Sequence, residues 1–195
     1  MILKLSEKAA SVLAEKNSLD PDDTALMQYG LFIILSHILY AIICIICSAV
    51  FGVITQGVIF YLAFSFLRSY AGGYHASTEA RCIAFSSAAI LVCVYCMSLC
   101  ERFDLRIPFA VSAAAASIAL LVFAPVDCRE KPLSQKEKRE YRKKSIALWL
   151  VYIIAVAVSA ALSYCKIAYA LSAAIILSGV MVTLGYIKNK KFIKN

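Results

Sequence analysis

The chain has 195 residues, is 62% hydrophobic with a mean hydropathy of +0.80, and carries a formal net charge of +8. Only 16% of its residues are charged, against roughly 25% in soluble globular proteins. A soluble domain of this size could not hide so much apolar surface, which leaves an integral membrane protein. The positive balance does not indicate nucleic acid, because it is gathered between apolar stretches, where it sets topology and attracts anionic lipid.

Residues 1–24 alternate apolar and charged positions. Ile2, Leu3, Leu5, Ala9, Val12 and Leu13 fit one helical face, with Lys4, Lys8, Glu15 and Lys16 away from it, the pattern of an amphipathic helix lying in the membrane interface. No long apolar run with a small-residue cleavage site opens the chain, so a cleaved signal peptide is not expected. The sequence L-D-P-D-D-T, with Pro21 and three acids, then breaks the pattern and leads into the first span.

Six apolar segments follow, at about residues 29–50, 52–67, 83–100, 108–126, 146–165 and 167–187. Most approach the ~20 residues needed to cross a hydrocarbon core of about 30 Å. The second spans only about 24 Å as a helix; it either crosses a thinned bilayer or continues into the polar residues after it. Between the fifth and sixth, Lys166 is the only clear break. The expected fold is therefore all-α: a polytopic bundle of about six transmembrane helices plus the interfacial helix, in one domain covering residues 1–195.

Charge gives an independent check on topology. With a cytosolic N-terminus and six spans, the inner side holds 17 of the 20 Lys and Arg residues, leaving Arg102, Arg106 and Lys166 outside. That asymmetry follows the positive-inside tendency. It places both termini, residues 68–82 and the basic loop 127–144 in the cytosol.

Among the eight cysteines, Cys44, Cys47, Cys93, Cys96 and Cys100 lie within or at the ends of apolar spans, where cysteine behaves as a small hydrophobe. The C-x-x-C pairs at 44–47 and 93–96 lack the polar loop or second pair of a zinc site, so no metal or other cofactor is expected.

The polar island 68–82, R-S-Y-A-G-G-Y-H-A-S-T-E-A-R-C, interrupts this membrane-like sequence. It combines Gly72-Gly73, His75 and Cys82. A thiolate nucleophile needs an imidazole to take and return a proton, and these are the two residue types of thiol-dependent acyl transfer. On one unbroken helix, seven residues would place them on one face but roughly 10.5 Å apart along the axis. Gly72-Gly73 favours a turn, and Ser77 or Thr78 can cap a new helix. His75 would then fold back over a helix carrying Cys82 in its first turns. A helix N-terminus, a neighbouring imidazolium and Arg81 would each favour the thiolate. Glu79 could orient His75, or be a solvent-facing acid in a first helical turn. Bland readings stand beside these: Cys82 as the first apolar residue of the third span, and His75 as an interfacial residue with its polar tip among headgroups.

The pattern R-x-x-x-G-G-x-H-A-x-x-x-x-x-C resembles the core of the accessory gene regulator B (AgrB) family of Gram-positive bacteria. The likeness extends to A-P-V-D at 124–127 and K-P-L at 131–133, before a lysine-rich loop, and to chain length and span layout. The resemblance implies a cysteine endopeptidase in the bacterial cell membrane that removes the C-terminal tail of a quorum-sensing pro-peptide. Cys82 would be the nucleophile and hold the signal segment as an acyl-thioester. His75 would be general base and then acid. An internal Cys or Ser of the peptide would close a thiolactone or lactone ring. Arg68 and Gly73 match positions the family relies on; Arg68 would bind a substrate carboxylate or anchor the loop. The implied partners are an AgrD-like precursor peptide and a second copy of the chain, in a homodimer.

Three further features carry two readings each. His37, inside the first span, is an intramembrane ionisable residue and so a functional suspect, or a neutral histidine bonded to a neighbouring helix. The loop 127–144, with eight basic and four acidic residues, is a solvated positive-inside loop or a dock for an acidic peptide tail. The small-residue runs 113–116 and 155–161 permit close helix approach within the bundle or across a dimer. A transporter or channel-like protein is the alternative to an enzyme; such proteins carry charged or broken helices at mid-membrane in paired halves, a pattern these spans lack.

Overall fold

The computed structural model describes residues 2–17, 20–74, 76, 78–127 and 133–193. Seven helices follow in order: α1 (Ile2–Asn17), α2 (Pro21–Val50), α3 (Ile54–Ala71), α4 (Glu79–Phe103), α5 (Arg106–Phe123), α6 (Gln135–Ala161) and α7 (Cys165–Ile193). No strand occurs among the described residues, and the fold is an all-α polytopic bundle. Five helices, α2 and α4 to α7, are long and apolar enough to cross a membrane. The chain is a multi-pass membrane protein.

The sixth expected crossing is α3, which does not reach that standard of length and composition. Its 18 residues include Gln56 and Arg68. Of the two possibilities open for it, the structure shows continuation: the helix runs through Arg68, Ser69 and Tyr70 into the polar island.

The chain forms two compact units, Met1–Ile43 and Cys44–Asn195. In the first, α1 buries Ile2, Ser6 and Ala10, one residue per turn, and leaves Leu3, Leu5, Val12 and Leu13 exposed. Only Ile2 of the expected apolar face belongs to the buried stripe. Helix α2 starts at Pro21, eight residues before the expected span, because proline at the first helical position sacrifices no hydrogen bond. Asp22 and Asp23 in that first turn complement the helix dipole.

In the second unit, α7 is the central helix and packs against α3, α4, α5 and α6. Ala170, Ala173, Ala174, Ile175, Ser178, Met181 and Val182 are all at most 2% exposed. Small residues make this position possible, since apolar helices in lipid associate by close van der Waals contact. Gly179 lies so near α5 that a Cβ on it would stand 2.6 Å from the Ala116 carbonyl oxygen. The run 113–116 is thus used inside the bundle, whereas Ala157, Ala160 and Ala161 of the second run are exposed.

Two boundaries differ from expectation. Residues 135–144 are the first turns of α6 rather than loop. Ser134 and Glu137 form a reciprocal capping box, with Ser134 N–H donating to Glu137 Oε2 at 2.9 Å and Glu137 N–H to Ser134 Oγ at 3.3 Å. The α6–α7 turn falls at 162–164, ahead of Lys166, which lies inside α7. Ser163 takes φ +62°, Ser163 N–H bonds Ala160 O and Tyr164 N–H bonds Ser159 O, closing a Schellman cap without glycine. Gly52, at φ +74°, closes α2 with the same pair of bonds.

Candidate functional site

The polar island is built from the end of α3, the start of α4, the extended segment after α5, and the last turns of α7. Gly72 ends α3 at φ +69° and ψ −149°, with its N–H on Arg68 O, a conformation open essentially to glycine alone. It forms a single parallel bridge with Val126, whose N–H donates to Ala71 O at 3.0 Å. A Cβ on Gly72 would stand 2.2 Å from the Val126 carbonyl oxygen. Gly73 is buried against Met181, and Gly185 lets α7 approach so closely that a Cβ there would meet Gly73 C at 2.7 Å.

Tyr74 is held at both ends of its backbone. Its N–H donates to Met181 O at 2.8 Å, and its carbonyl accepts from Arg68 Nη2 at 2.9 Å. Arg68 also lies over the Phe64 ring, 5.9 Å from the centroid. Its guanidinium therefore ties the end of α3 to the Tyr74 carbonyl. Tyr74 packs its ring on Phe85 of α4 at 5.1 Å, with Lys188 Nζ 5.2 Å from the Tyr74 centroid. His75 follows Tyr74 directly and lies outside the described residues, as do Ser77, Lys131 and Pro132.

Of the two cap candidates considered for the next helix, Thr78 is the N-cap of α4, and its Oγ1 accepts from Arg81 N–H at 3.4 Å. Cys82 sits in the first turn, half-buried, with its own N–H on Thr78 O at 3.0 Å. Glu79 opens the helix and is half-buried, and Arg81 is exposed. Glu79 and Cys82 are three residues apart and so neighbours on one helical face. The thiol thus stands at the positive end of a 25-residue helix, beside a loop whose preceding backbone is fixed on both sides.

Several residues that shape this end of the protein carry no signal in the island itself. Met181 supplies the acceptor for Tyr74, and Val126 pairs with Gly72. Arg142 of α6 reaches carbonyls at the end of α5, donating to Leu121 O at 3.1 Å and Ala124 O at 3.4 Å. Asp127 pairs with Lys138 Nζ at 2.6 Å. The S-Q-K-E sequence at 134–137 is a readable capping box, and would have placed Lys138 and Arg142 on a helix directed at this region.

A cavity of 290 Å³ lies elsewhere, lined among others by Val92, Cys93, Cys96, Cys100 and Phe109. Its nearest cysteine is eleven residues along α4 from Cys82, roughly 16 Å by helical rise. It is almost wholly apolar and contributes no acid, base or charge to the Cys82 region. His37 lies within α2, half-buried, in the other compact unit. Among the described residues no three His, Cys, Asp or Glu side chains converge to hold a metal ion.

Comparison with known proteins finds relatives over most of the chain. The family model of accessory gene regulator B matches residues 6–184. A protein of Clostridium perfringens named as AgrB-like is 24% identical over 202 residues, covering 97% of this chain and 94% of that protein. A second from the same species is 24% identical over 171 residues, covering 84% and 79%. An AgrB-like protein of Listeria innocua is 28% identical over 160 residues, covering 78% and 75%. No solved structure matches. With the family model matched over nearly its whole length, the chain belongs to the accessory gene regulator B (AgrB) family.

Proposed function

We propose that this protein is a membrane-embedded cysteine endopeptidase that removes the C-terminal tail of a precursor signal peptide and prepares the remainder for cyclisation. The family is implicated in quorum-sensing peptide processing. The observation that carries the specific reading is the placement of Cys82 in the first turn of α4, with the peptide leading to His75 clamped by Arg68 and Met181.

The chemistry divides into two acyl transfers. His75 removes the thiol proton as Cys82 Sγ attacks the carbonyl carbon at the junction of signal segment and tail. The tetrahedral intermediate collapses when His75 returns that proton to the departing amine. The tail leaves with a new N-terminus, and the signal segment stays on Cys82 as a thioester. An internal Cys or Ser of the bound peptide then attacks this thioester, giving up its own proton through His75 to the Cys82 sulfur. A thiolactone or lactone closes and free Cys82 returns, with no external energy source, because the thioester conserves the activation of the cleaved bond. The first amides of α4, at Glu79 and Ala80, are donors suited to the developing oxyanion.

In this reading Arg68, Gly72 and Gly73 shape the loop, and Glu79 lies at the mouth of the site. The termini and the site face the cytosol, where 17 of the 20 Lys and Arg residues would lie. The protein works as a homodimer on an AgrD-like peptide. The test is cleavage of the precursor peptide encoded beside the gene, by the full chain in lipid. Release of the C-terminal tail by wild type and its loss in Cys82→Ala is the expected result. Tail release by Cys82→Ala at the wild-type rate would remove the proposal.

A further inference from the structure

The cavity beside the α4–α5 turn lies at the end of α4 opposite Cys82. The backbones of α4 and α5 part directly after the turn that joins them, and α5 packs along α7 while α4 stands off from α5. The space left between the three helices is the 290 Å³ cavity, walled by Cys96 and Cys100 of α4, Phe109 and Ser112 of α5, and Ala173 of α7. It opens sideways, where the lining residues Val92 and Leu105 are 59% and 39% exposed. Both flank membrane-spanning helices, so the opening faces acyl chains rather than water.

Water is a poor occupant, because a buried water needs about two to four polar partners. The lining offers thiols and the Ser112 hydroxyl, and that hydroxyl is spent on Pro108 O at 2.8 Å. A void is no better, since its walls forfeit their dispersion contacts on one side. An apolar cavity of about 150 Å³ already takes up benzene, and this one is nearly twice as large.

The polar end of the cavity decides which apolar molecule fits. Asp104 and Arg106 pair across the α4–α5 turn through Arg106 Nε. Tyr169 OH donates to Asp104 Oδ1 at 3.5 Å, and its ring meets that of the lining residue Phe109 edge-on at 5.8 Å. The ion pair thus adjoins the cavity. Arg106 is 61% exposed, and a guanidinium carries five N–H donors in a fork that matches phosphate. Arg102, exposed in the last turn of α4, and Lys166, paired with Glu101, stand at the same end. Three cations therefore face two acids there, Glu101 and Asp104, a balance that favours an anionic headgroup.

We propose that one acyl chain of an anionic phospholipid occupies this cavity, with its phosphate on Arg106. The lipid then replaces protein packing between α4 and α5, on the helix that carries Cys82. The site does not depend on the peptidase reading.

The test is photo-crosslinking of the full chain in phosphatidylcholine vesicles doped with phosphatidylglycerol that bears a diazirine in one acyl chain, with adducts mapped by peptide mass spectrometry. Val151 and Ile154, exposed on the spanning part of α6, report ordinary lipid contact. In wild type, adducts at the lining residues should clearly outnumber those at Val151 and Ile154. Ser112→Phe, at an exposed lining position, fills the mouth and should bring lining adducts down to the α6 level while α6 adducts stay unchanged. Labelled phosphatidylglycerol should mark the lining roughly threefold or more over equally labelled phosphatidylcholine, and Arg106→Gln should erase that preference. Wild-type lining adducts no more frequent than those on α6 overturn the proposal, a readout that needs no variant to fold. Equal marking by the two lipids overturns it too. So does oxidative cross-linking of two copies through Cys96 in place of lipid adducts, which would assign the cavity to a second copy of the chain.

Discussion

Replacing Gly72 with alanine attacks the point where the end of α3 meets the segment after α5. The residue holds φ +69° and ψ −149°, a combination that costs a residue with a side chain about 1–3 kcal/mol. The new methyl would stand 2.2 Å from the Val126 carbonyl oxygen, an approach that cannot persist. The segment after α5 must move away, giving up the Val126–Ala71 hydrogen bond, worth about 1 kcal/mol net. The two effects together give about 2–4 kcal/mol. Gly52 is the control: it has φ +74°, yet nothing lies within 4 Å of its added Cβ, so Gly52→Ala should cost only the strain, about 1–2 kcal/mol. Reversible unfolding in mixed micelles with increasing dodecyl sulfate gives both values. The single tryptophan, Trp149, donates Nε1 to Ser117 Oγ at 2.9 Å and reports on the contact between α5 and α6. At equal folded fraction, peptide-tail release should fall in Gly72→Ala and persist in Gly52→Ala. Equal destabilisation by the two substitutions would refute the claim that the bridge to Val126 holds the loop.

Arg68→Ala should leave the bundle folded and reduce tail release at least tenfold, since a charge-assisted bond to a carbonyl contributes about 1.5–3 kcal/mol. Arg68→Lys should recover only part of that activity in the same assay, because the Tyr74 carbonyl needs the reach of the guanidinium fork. Ser134→Ala removes the capping box of α6 and should lower stability by about 1 kcal/mol in the micelle titration. Glu101 links three helices, accepting from buried Gln56 Nε2 at 2.7 Å and meeting Lys166 Nζ at 3.0 Å. Glu101→Ala leaves the Gln56 amide buried without this partner and should cost about 1–3 kcal/mol. Lys166→Ala should cost less than about 1 kcal/mol, because the Lys166 side chain is 62% exposed. Equal losses at the two positions would show that the amide contact contributes little.

Local chemistry made much of the architecture readable. Apolar runs mark all six long helices, and the Gly72-Gly73 pair marks the turn before α4. A threonine three residues before Arg81 marks a helix start, and the structure places the cap at Thr78. What sequence reasoning missed falls into two physical classes. Turns closed by residues other than glycine leave no signal: Ser163 caps α6 in the left-handed region, and Lys166 is the only break that the sequence shows there. Long-range pairings leave none either. The partners of Gly72 and Tyr74 are Val126 and Met181, and no local pattern links residues so far apart in the chain. Pro21 follows the end of α1 and opens α2, as a break that leads into the first span requires. The charge of residues 127–144 suggests a loop, whereas the S-x-x-E signature at 134–137 marks the helix start that the structure shows.

The central claim is a covalent thioester on Cys82, and intact mass spectrometry tests it directly. Purified protein in lipid would be mixed with the precursor peptide encoded beside its gene, quenched in acid and weighed, alongside Cys82→Ala and His75→Ala. The account predicts a wild-type adduct equal in mass to the signal segment without its tail, labile to hydroxylamine. It predicts no adduct on Cys82→Ala and little or none on His75→Ala. A folded wild-type protein that binds the peptide but gains no mass and releases no tail would contradict it.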